Sequence, residues 1–182
     1  GKTLRLAYAA FERLAAVVPL EQPFLGALAM SLVEPWEVAP FFDAAHAVVQ
    51  HQSATHHADA AVALMRFVER PVAGSADAAV AFLEALLGVE GLAREVATTL
   101  FAAASALLAR APSERLVAAC VPLAKLLLAH DLHADVRALL AALAELSGVF
   151  TKVTCTSMQL QCLTVLYALS LSCIQTFTAE EY

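Results

Sequence analysis

The sequence is poor in charged residues, in proline and in glycine. Only 15% of its 182 residues are charged, against about 25% in an average globular protein. Seven prolines and six glycines leave few breaks in a chain of this length, which favours long helices joined by short loops. Because 60% of the residues are hydrophobic, enough apolar surface exists to offset the entropy of ordering, and disorder is excluded.

Positive charge is both scarce and scattered. The chain has 11 Lys and Arg against 17 Asp and Glu, which gives a formal net charge of −6 at pH 7. Binding to a phosphate backbone depends on clustered Lys and Arg that displace counterions, and the sequence has no such cluster. We therefore predict no nucleic-acid partner.

Motifs for catalysis and cofactor binding are also missing. The sequence has no GxSxG, GxxxxGK[ST] or GxGxxG pattern, so the usual signatures of serine hydrolases and nucleotide-binding proteins are absent. The four cysteines, Cys120, Cys155, Cys162 and Cys173, form no CxxC pair, which disfavours a zinc ribbon. Thiols among apolar residues are typical of reducing compartments. We expect an intracellular protein, cytoplasmic or nuclear, without a cofactor.

Helical periodicity is present over most of the chain. Apolar residues recur at spacings of three and four, as in Val80, Leu83 and Leu87, and therefore share one face of a helix. The stripe predicted for the first helix is Leu4, Tyr8, Phe11, Leu14 and Val18. The predicted helices are residues 2–18, 24–33, 41–51, 56–70, 75–87, 91–110, 113–130, 133–147 and 153–179.

Capping and breaking residues set the predicted helix ends. Ser, Thr and Asp accept hydrogen bonds from the free N–H groups of a helix start, and Pro or Gly stops a helix. Residues 34–37 are predicted to form a turn. The residues assigned to helix starts are Pro40, Ser53 or Thr55, Ser75, Ser113 and Asp131, and those assigned to helix ends are Pro19, Gly88, Pro112 and Gly148.

The stretch from Ser75 to Gly148 consists of two helix hairpins in tandem. Their openings, Ser75 and Ser113, are roughly 40 residues apart, which is the period of HEAT and armadillo repeats. A hairpin of similar length precedes them at residues 35–71. This organisation resembles armadillo-like or HEAT-like helical repeats. The resemblance implies an all-α fold of about nine helices, whose tandem hairpins stack as a right-handed solenoid with a concave face that holds other proteins.

The expected domain is a single α-helical repeat domain over residues 1–182. Helical sequence follows Gly1 at once without an initiating Met, which predicts a fragment of a larger protein. The expected function is a non-enzymatic scaffold that binds a partner helix or peptide in a groove between helix pairs. A second hypothesis is an Ala-rich helical module for self-assembly.

The residues predicted to bind a partner are Trp36, Glu34 and Glu37. An exposed Trp beside two acids would be a binding hot spot, whereas a buried Trp would anchor the core. Both alternatives remain open from the sequence.

A cluster of histidines and one acid offers a possible zinc site. His51, His56, His57 and Asp59 are close in sequence, and these residue types ligate zinc. However, adjacent histidines point about 100° apart on a helix. We therefore expect a solvated helix start in place of a metal site.

The pair His130–Asp131 resembles the central His-Asp pair of HD-type phosphohydrolases. In that family, adjacent His and Asp ligate a metal that activates water. The family also needs an upstream His and a downstream Asp, and no Asp follows Asp135. Capping of the helix at His133 by Asp131 explains the residues more simply. A metal-dependent phosphohydrolase is the third hypothesis.

Residues 153–179 carry no charge. A run of about 20 apolar residues is enough to span a membrane. Here Gln159, Gln161 and Gln175 dilute the apolar run, so we expect a buried last helix and no membrane span.

Overall fold

The structure is a computed structural model that describes residues 2–19, 24–31, 35–52, 54–70, 74–150 and 156–180. Within these residues the fold is all-α, as predicted, and contains no β-strand. The chain divides into two compact units, Gly1–Leu107 and Leu108–Tyr182.

Nine helices lie within the described residues. Most of the long helices carry apolar residues at helical spacing and bury one apolar face. The helices are α1 (Lys2–Ala15), α2 (Leu25–Ser31), α3 (Pro35–His51), α4 (Ala54–Glu69), α5 (Ala76–Leu87), α6 (Arg94–Arg110), α7 (Glu114–Ala129), α8 (His133–Phe150) and α9 (Thr156–Glu180).

The first unit has an aromatic core contributed by three helices. α1 packs on α3, α2 on α4 and α3 on α5, while α4 packs on both α3 and α5. Phe41 and Phe42 of α3 contact Phe67 of α4 at centroid distances of 5.9 and 4.9 Å. Phe82 of α5 lies 5.3 Å from Phe42 and 5.5 Å from the ring of His46. These rings tie α3, α4 and α5 together.

Gln52 fastens the end of α1 to the end of α3. Its side-chain amide donates to the carbonyl of Ala15 and, at 3.0 Å, to the carbonyl of Val18. Nearer to the start of both helices, the charge of Glu37 in α3 acts on Tyr8 in the middle of α1. Residues of α1 therefore meet residues of α3 in the same order along the two helices, so α1 and α3 run parallel.

The short helix α2 is held by two side chains of α4. Asp59 accepts from the backbone N–H groups of Leu25 at 2.6 Å and Gly26 at 3.0 Å. Arg66 donates to the Gly26 carbonyl at 2.7 Å. Asp59 and Arg66 are seven residues apart and thus share a face of α4.

The second unit contains α7, α8 and α9, which all pack on one another. The Ser157 hydroxyl at the start of α9 donates to the Glu114 carboxylate at the start of α7. Further along the same two helices, Cys162 acts electrostatically on Cys120. α7 and α9 therefore run parallel.

Two serines stand at the helix starts where the sequence predicts them. Ser113 precedes α7, and its side chain accepts from Leu116 N at 3.2 Å. Ser75 precedes α5, and Gly88 follows its last residue. The side chain of Ser75 makes no capping hydrogen bond, so its position is correct but its expected role is not.

Several predicted helix ends at the first unit are wrong. α3 begins at Pro35, so residues 35–37 form its first turn, and Pro40 lies inside the helix. Pro40 removes one backbone hydrogen bond, the one to the carbonyl of residue 36, and α3 continues beyond it to His51. Thr55 is the second residue of α4 and is not its cap. Ser53 lies outside the described residues.

The predicted first-helix stripe is buried only in part. Tyr8 is buried and Phe11 is half-buried, whereas Leu14 and Val18 are exposed by 53% and 45%. The side chain of Leu4 lies outside the described residues. Val18 lies beyond the last residue of α1, where the helical spacing no longer applies.

In the second unit, Gly148 does not end α8, which continues to Phe150. A glycine ends a helix when it takes a left-handed conformation, and Gly148 does not. Asp131 is not the cap of α8 either. It has φ +56°, and the N–H groups of Asp131 and Leu132 donate to the carbonyls of Leu128 and Leu127. This is the Schellman pattern that closes α7.

Candidate functional site

α9 carries two apolar stripes on opposite sides. Met158, Cys162, Val165 and Leu169 are buried, and we call them the inner stripe. Leu160, Leu163, Tyr167 and Leu171 are exposed by 66, 49, 69 and 46%, and we call them the outer stripe. At about 100° per residue, the mean directions of the two stripes lie roughly 180° apart. Over residues 157–171, the part of α9 whose side chains the structure describes, the prediction of a buried last helix is therefore correct for one face only.

The inner stripe fixes how α9 sits in the second unit. α9 packs on both α7 and α8, and the Ser157–Glu114 hydrogen bond aligns it with α7. Since the inner stripe faces these helices, the outer stripe points away from them.

A contiguous exposed apolar row is unusual on a protein surface. Single exposed hydrophobic side chains are common, but larger patches mark interaction sites. The outer stripe extends over three turns of one helix. No charged residue occurs in α9 before Glu180, so this face has no like charge to repel an apolar partner.

Two buried thiols, Cys120 of α7 and Cys162 of α9, lie where these helices pack together. Burial, with a smaller effect from Cys162, raises the pKa of the Cys120 thiol to about 12, and its Sγ donates to the Leu116 carbonyl at 3.3 Å. Burial also raises the pKa of Cys162. Because nucleophilic attack requires the thiolate, these free thiols act as packing groups.

The predicted partner-binding residues lie at the start of α3. Glu34 and the side chain of Trp36 lie outside the described residues. Glu37 is half-buried in the first turn of α3, where its charge adds to burial in raising the pKa of Tyr8. A partner-binding role for Trp36, Glu34 and Glu37 stays a prediction.

The histidine cluster is divided among different structural roles. Asp59 caps α2, and the Nε2 of His57 lies 3.1 Å from the Val49 carbonyl. His56 is buried and His51 is exposed. The expectation of a solvated helix start is thus wrong for His56, because its position faces the core side of α4. Among the described residues, no three His, Cys, Asp or Glu side chains are grouped to hold a metal.

The residues of the phosphohydrolase-like pair take positions at the turn between α7 and α8. His130 is the residue after the last turn of α7, and Asp131 is exposed in the left-handed conformation. His133 and Asp135 belong to the first turn of α8. Asp131 thus serves the end of α7.

Two open clefts lie along α1 and α3. The larger, of about 380 Å³, is lined by charged and polar residues of both signs, including Glu12, Arg13, Asp43 and His46. The smaller, of about 230 Å³, lies at the Gln52 contact with the end of α1. The mixed, charged lining of the larger cleft differs from the mostly apolar lining of small-molecule sites.

No helix within the described residues combines the length and apolar character needed to cross a bilayer.

No protein-family model matches this chain, and neither a curated protein nor a solved structure matches it significantly. The geometry of α9 is therefore the main basis for assigning a function.

Sequence reasoning missed the outer stripe. The inner and outer stripes alternate along residues 158–171, so no single amphipathic face stands out. The stripe could have been recognised from a second set of apolar residues, spaced three, four and four residues apart, in a helix that has no charged residue on either face.

Proposed function

We propose that this chain is a non-catalytic protein-interaction module and that the outer stripe of α9 binds an amphipathic helix of a partner protein. The observation that carries the proposal is the exposure of Leu160, Leu163, Tyr167 and Leu171 along one face of a charge-free helix. Apolar anchors spaced three and four residues apart are the usual contacts between a helix and its binding surface.

The energetics favour an apolar partner. Burial of apolar surface contributes roughly 25 cal/mol per Å², and a Tyr contributes a large, rigid contact area. Tyr167 is the most exposed member of the stripe and lies near its centre. It is the expected hot spot, because binding energy concentrates on central aromatic anchors.

The finer fold that we propose is a stack of helix hairpins within each unit, in the manner of armadillo-like or HEAT-like solenoids. The support is that helices two apart along the chain pack together, namely α1 with α3, α2 with α4, α3 with α5 and α7 with α9. Parallel packing of α1 with α3 and of α7 with α9 is expected for equivalent helices of successive hairpins.

We also propose that the module acts in the cytoplasm or nucleus. The free, buried thiols of Cys120 and Cys162 are compatible with a reducing compartment.

The test uses designed amphipathic helical peptides of unrelated sequence, labelled with fluorescein. Peptides with an uncharged Leu-rich face should raise their fluorescence anisotropy on binding, and Tyr167→Glu should weaken binding at least about tenfold. The matched control is Leu6→Glu, because Leu6 is 71% exposed on α1. Failure of every peptide to bind, or equal loss with Leu6→Glu, would overturn the proposal.

A further inference from the structure

We infer that the partner of the outer stripe is a second copy of this chain, bound through an antiparallel pair of α9 helices related by a two-fold axis. The inference rests on the proposed function, since it names the occupant of the same surface. Three features of α9 carry it: the symmetric spacing of the stripe, its lack of charge and its small neighbouring side chains.

The spacing of the outer stripe is self-complementary. In an antiparallel two-fold pair, residues at equal distances on either side of the axis face each other. An axis between residues 165 and 166 places Leu160 opposite Leu171 and Leu163 opposite Tyr167. Each match holds to within half a residue, a rise of about 0.75 Å. Every large side chain of the stripe therefore meets a large apolar side chain of the other copy.

The absence of charge on α9 permits a second copy to bind there. The chain carries a net charge of −6, so two copies repel each other, and this repulsion is weakest where the contact brings no charged side chains together. α9 has no charged residue before Glu180, so pairing through its outer stripe brings no acidic side chain of one copy against another.

The polar and small residues beside the stripe permit close approach. The Thr164 hydroxyl already donates to the Leu160 carbonyl at 2.8 Å, so covering it leaves no donor unsatisfied. Ala168 is exposed on the flank of the stripe, about 60° around the helix from Leu171. Small residues at such positions let two helix backbones come near each other.

The outer stripe offers a small interface. The exposed surface of its four large side chains and their small neighbours is on the order of 400–500 Å² per copy, which is roughly half of a standard interface. We therefore expect reversible association with a dissociation constant in the micromolar range.

Sedimentation velocity of the whole chain between about 5 and 200 µM tests the inference, because this range spans micromolar dissociation constants. The wild-type chain should change from monomer to dimer across it. Leu160→Glu should weaken the dimer at least about tenfold, and Leu6→Glu should leave it unchanged. Leu160 and Leu6 have similar exposures, 66% and 71%, so a difference between the two variants reflects where the substitution lies and not how exposed it is. Circular dichroism checks that both variants remain helical.

A charge-pair experiment tests the orientation. Leu160→Lys and Leu171→Glu should each be monomeric alone, and a 1:1 mixture should recover dimers, because antiparallel pairing brings the introduced charges together. The control mixture, Leu160→Lys with Leu160→Glu, should not recover them. Recovery by the control mixture alone would show parallel pairing and overturn the antiparallel arrangement.

The same samples separate this inference from the proposed function. A chain that stays monomeric at about 200 µM, yet binds designed helices through Tyr167, would overturn self-pairing and leave the interaction module standing. A dimer that Leu160→Glu and Leu6→Glu affect equally would place the contact elsewhere and overturn self-pairing through α9.

Discussion

Asp131 holds a backbone conformation that L-residues rarely adopt. Its φ is +56°, in the left-handed region where a side chain crowds the following carbonyl, although Asp tolerates this better than most residues. The conformation persists because it allows the closing hydrogen bonds from Asp131 and Leu132 to α7.

Replacing Asp131 with Gly should therefore stabilise the protein by up to about 1 kcal/mol, since Gly has no Cβ to strain. The measurement is the free energy of unfolding from urea titration. The control, Asp135→Gly, places glycine in the first turn of α8 and should destabilise by a similar amount. If Asp131→Gly destabilises as much as the control, the strain argument is wrong.

Gly26 is needed because Asp59 approaches its backbone closely. A Cβ at Gly26 would lie 2.9 Å from Asp59 Oδ1 and 3.5 Å from Val62 Cγ1. Gly26→Ala should displace the cap of α2 and destabilise the protein by about 1–3 kcal/mol. Gly148→Ala is the matched control: among the described residues, no atom outside the local helix backbone lies within 4 Å of its Cβ position, so helix propensity should stabilise by about 0.5–1 kcal/mol. Opposite signs in urea unfolding are expected, and equal signs would refute the argument.

The buried Cys120 thiol predicts a loss of stability at alkaline pH. Its pKa is raised from about 9 to about 12 in the folded chain, so the unfolded chain loses this proton first as the pH rises. The stabilising contribution is complete below pH 9 and disappears towards pH 12, at about 1.4 kcal/mol per pH unit. The raised pKa values of Cys162 and Tyr8 add to this trend with the same sign.

Urea titrations at intervals from pH 8.5 to about 10.5 measure this slope. The Cys120→Ala variant should show a shallower fall, whatever its absolute stability. An identical slope in both proteins would mean that Cys120 does not titrate differently on unfolding.

At the scale of elements, one side chain links the C-terminal end of α1 to the end of α3. The last carbonyls of a helix have no partner within the helix, and Gln52 donates to the carbonyl of Ala15, the last residue of α1, and to that of Val18 in the segment that follows. Gln52→Ala should therefore cost about 1–2 kcal/mol. Gln52→Glu should cost more, because a carboxylate cannot donate and would face carbonyl oxygens.

Hydrogen exchange of α1 and urea unfolding measure the effect of Gln52. Gln50→Ala is the control, as Gln50 is exposed on the same helix. Similar exchange rates for the Gln52 and Gln50 variants would contradict the capping role.

A helix end could be predicted from the sequence where a capping residue can serve only one helix. Ser113 follows Pro112 and directly precedes an apolar periodic run, and it caps α7 as predicted. Asp131 lies in a three-residue connection, where one residue suits either the end of α7 or the start of α8. Sequence alone does not decide between these roles, because hydrogen bonds on both sides are chemically reasonable.

At the scale of the whole molecule, the all-α class follows from periodicity and few breakers, whereas the interaction surface does not. Both stripes of α9 are visible in the sequence once they are separated. Which of them is covered depends on where α7 and α8 lie, and this depends on residues far away in the chain. The stacking of helix pairs and the function remain predictions.

Because α9 is apolar on two opposite faces, its orientation about its own axis affects how the chain folds. A half-turn rotation about its own axis would turn the outer stripe, with Leu160 and Leu163, towards α7 and α8 in place of the inner stripe, and both stripes are apolar. Such a flipped docking is a competing minimum of the kind that slows folding. Wild-type refolding should therefore show a slow second phase that Leu160→Glu removes, since a carboxylate penalises the flipped form. Stopped-flow fluorescence of the two proteins measures it, and single-phase refolding of the wild type would contradict it.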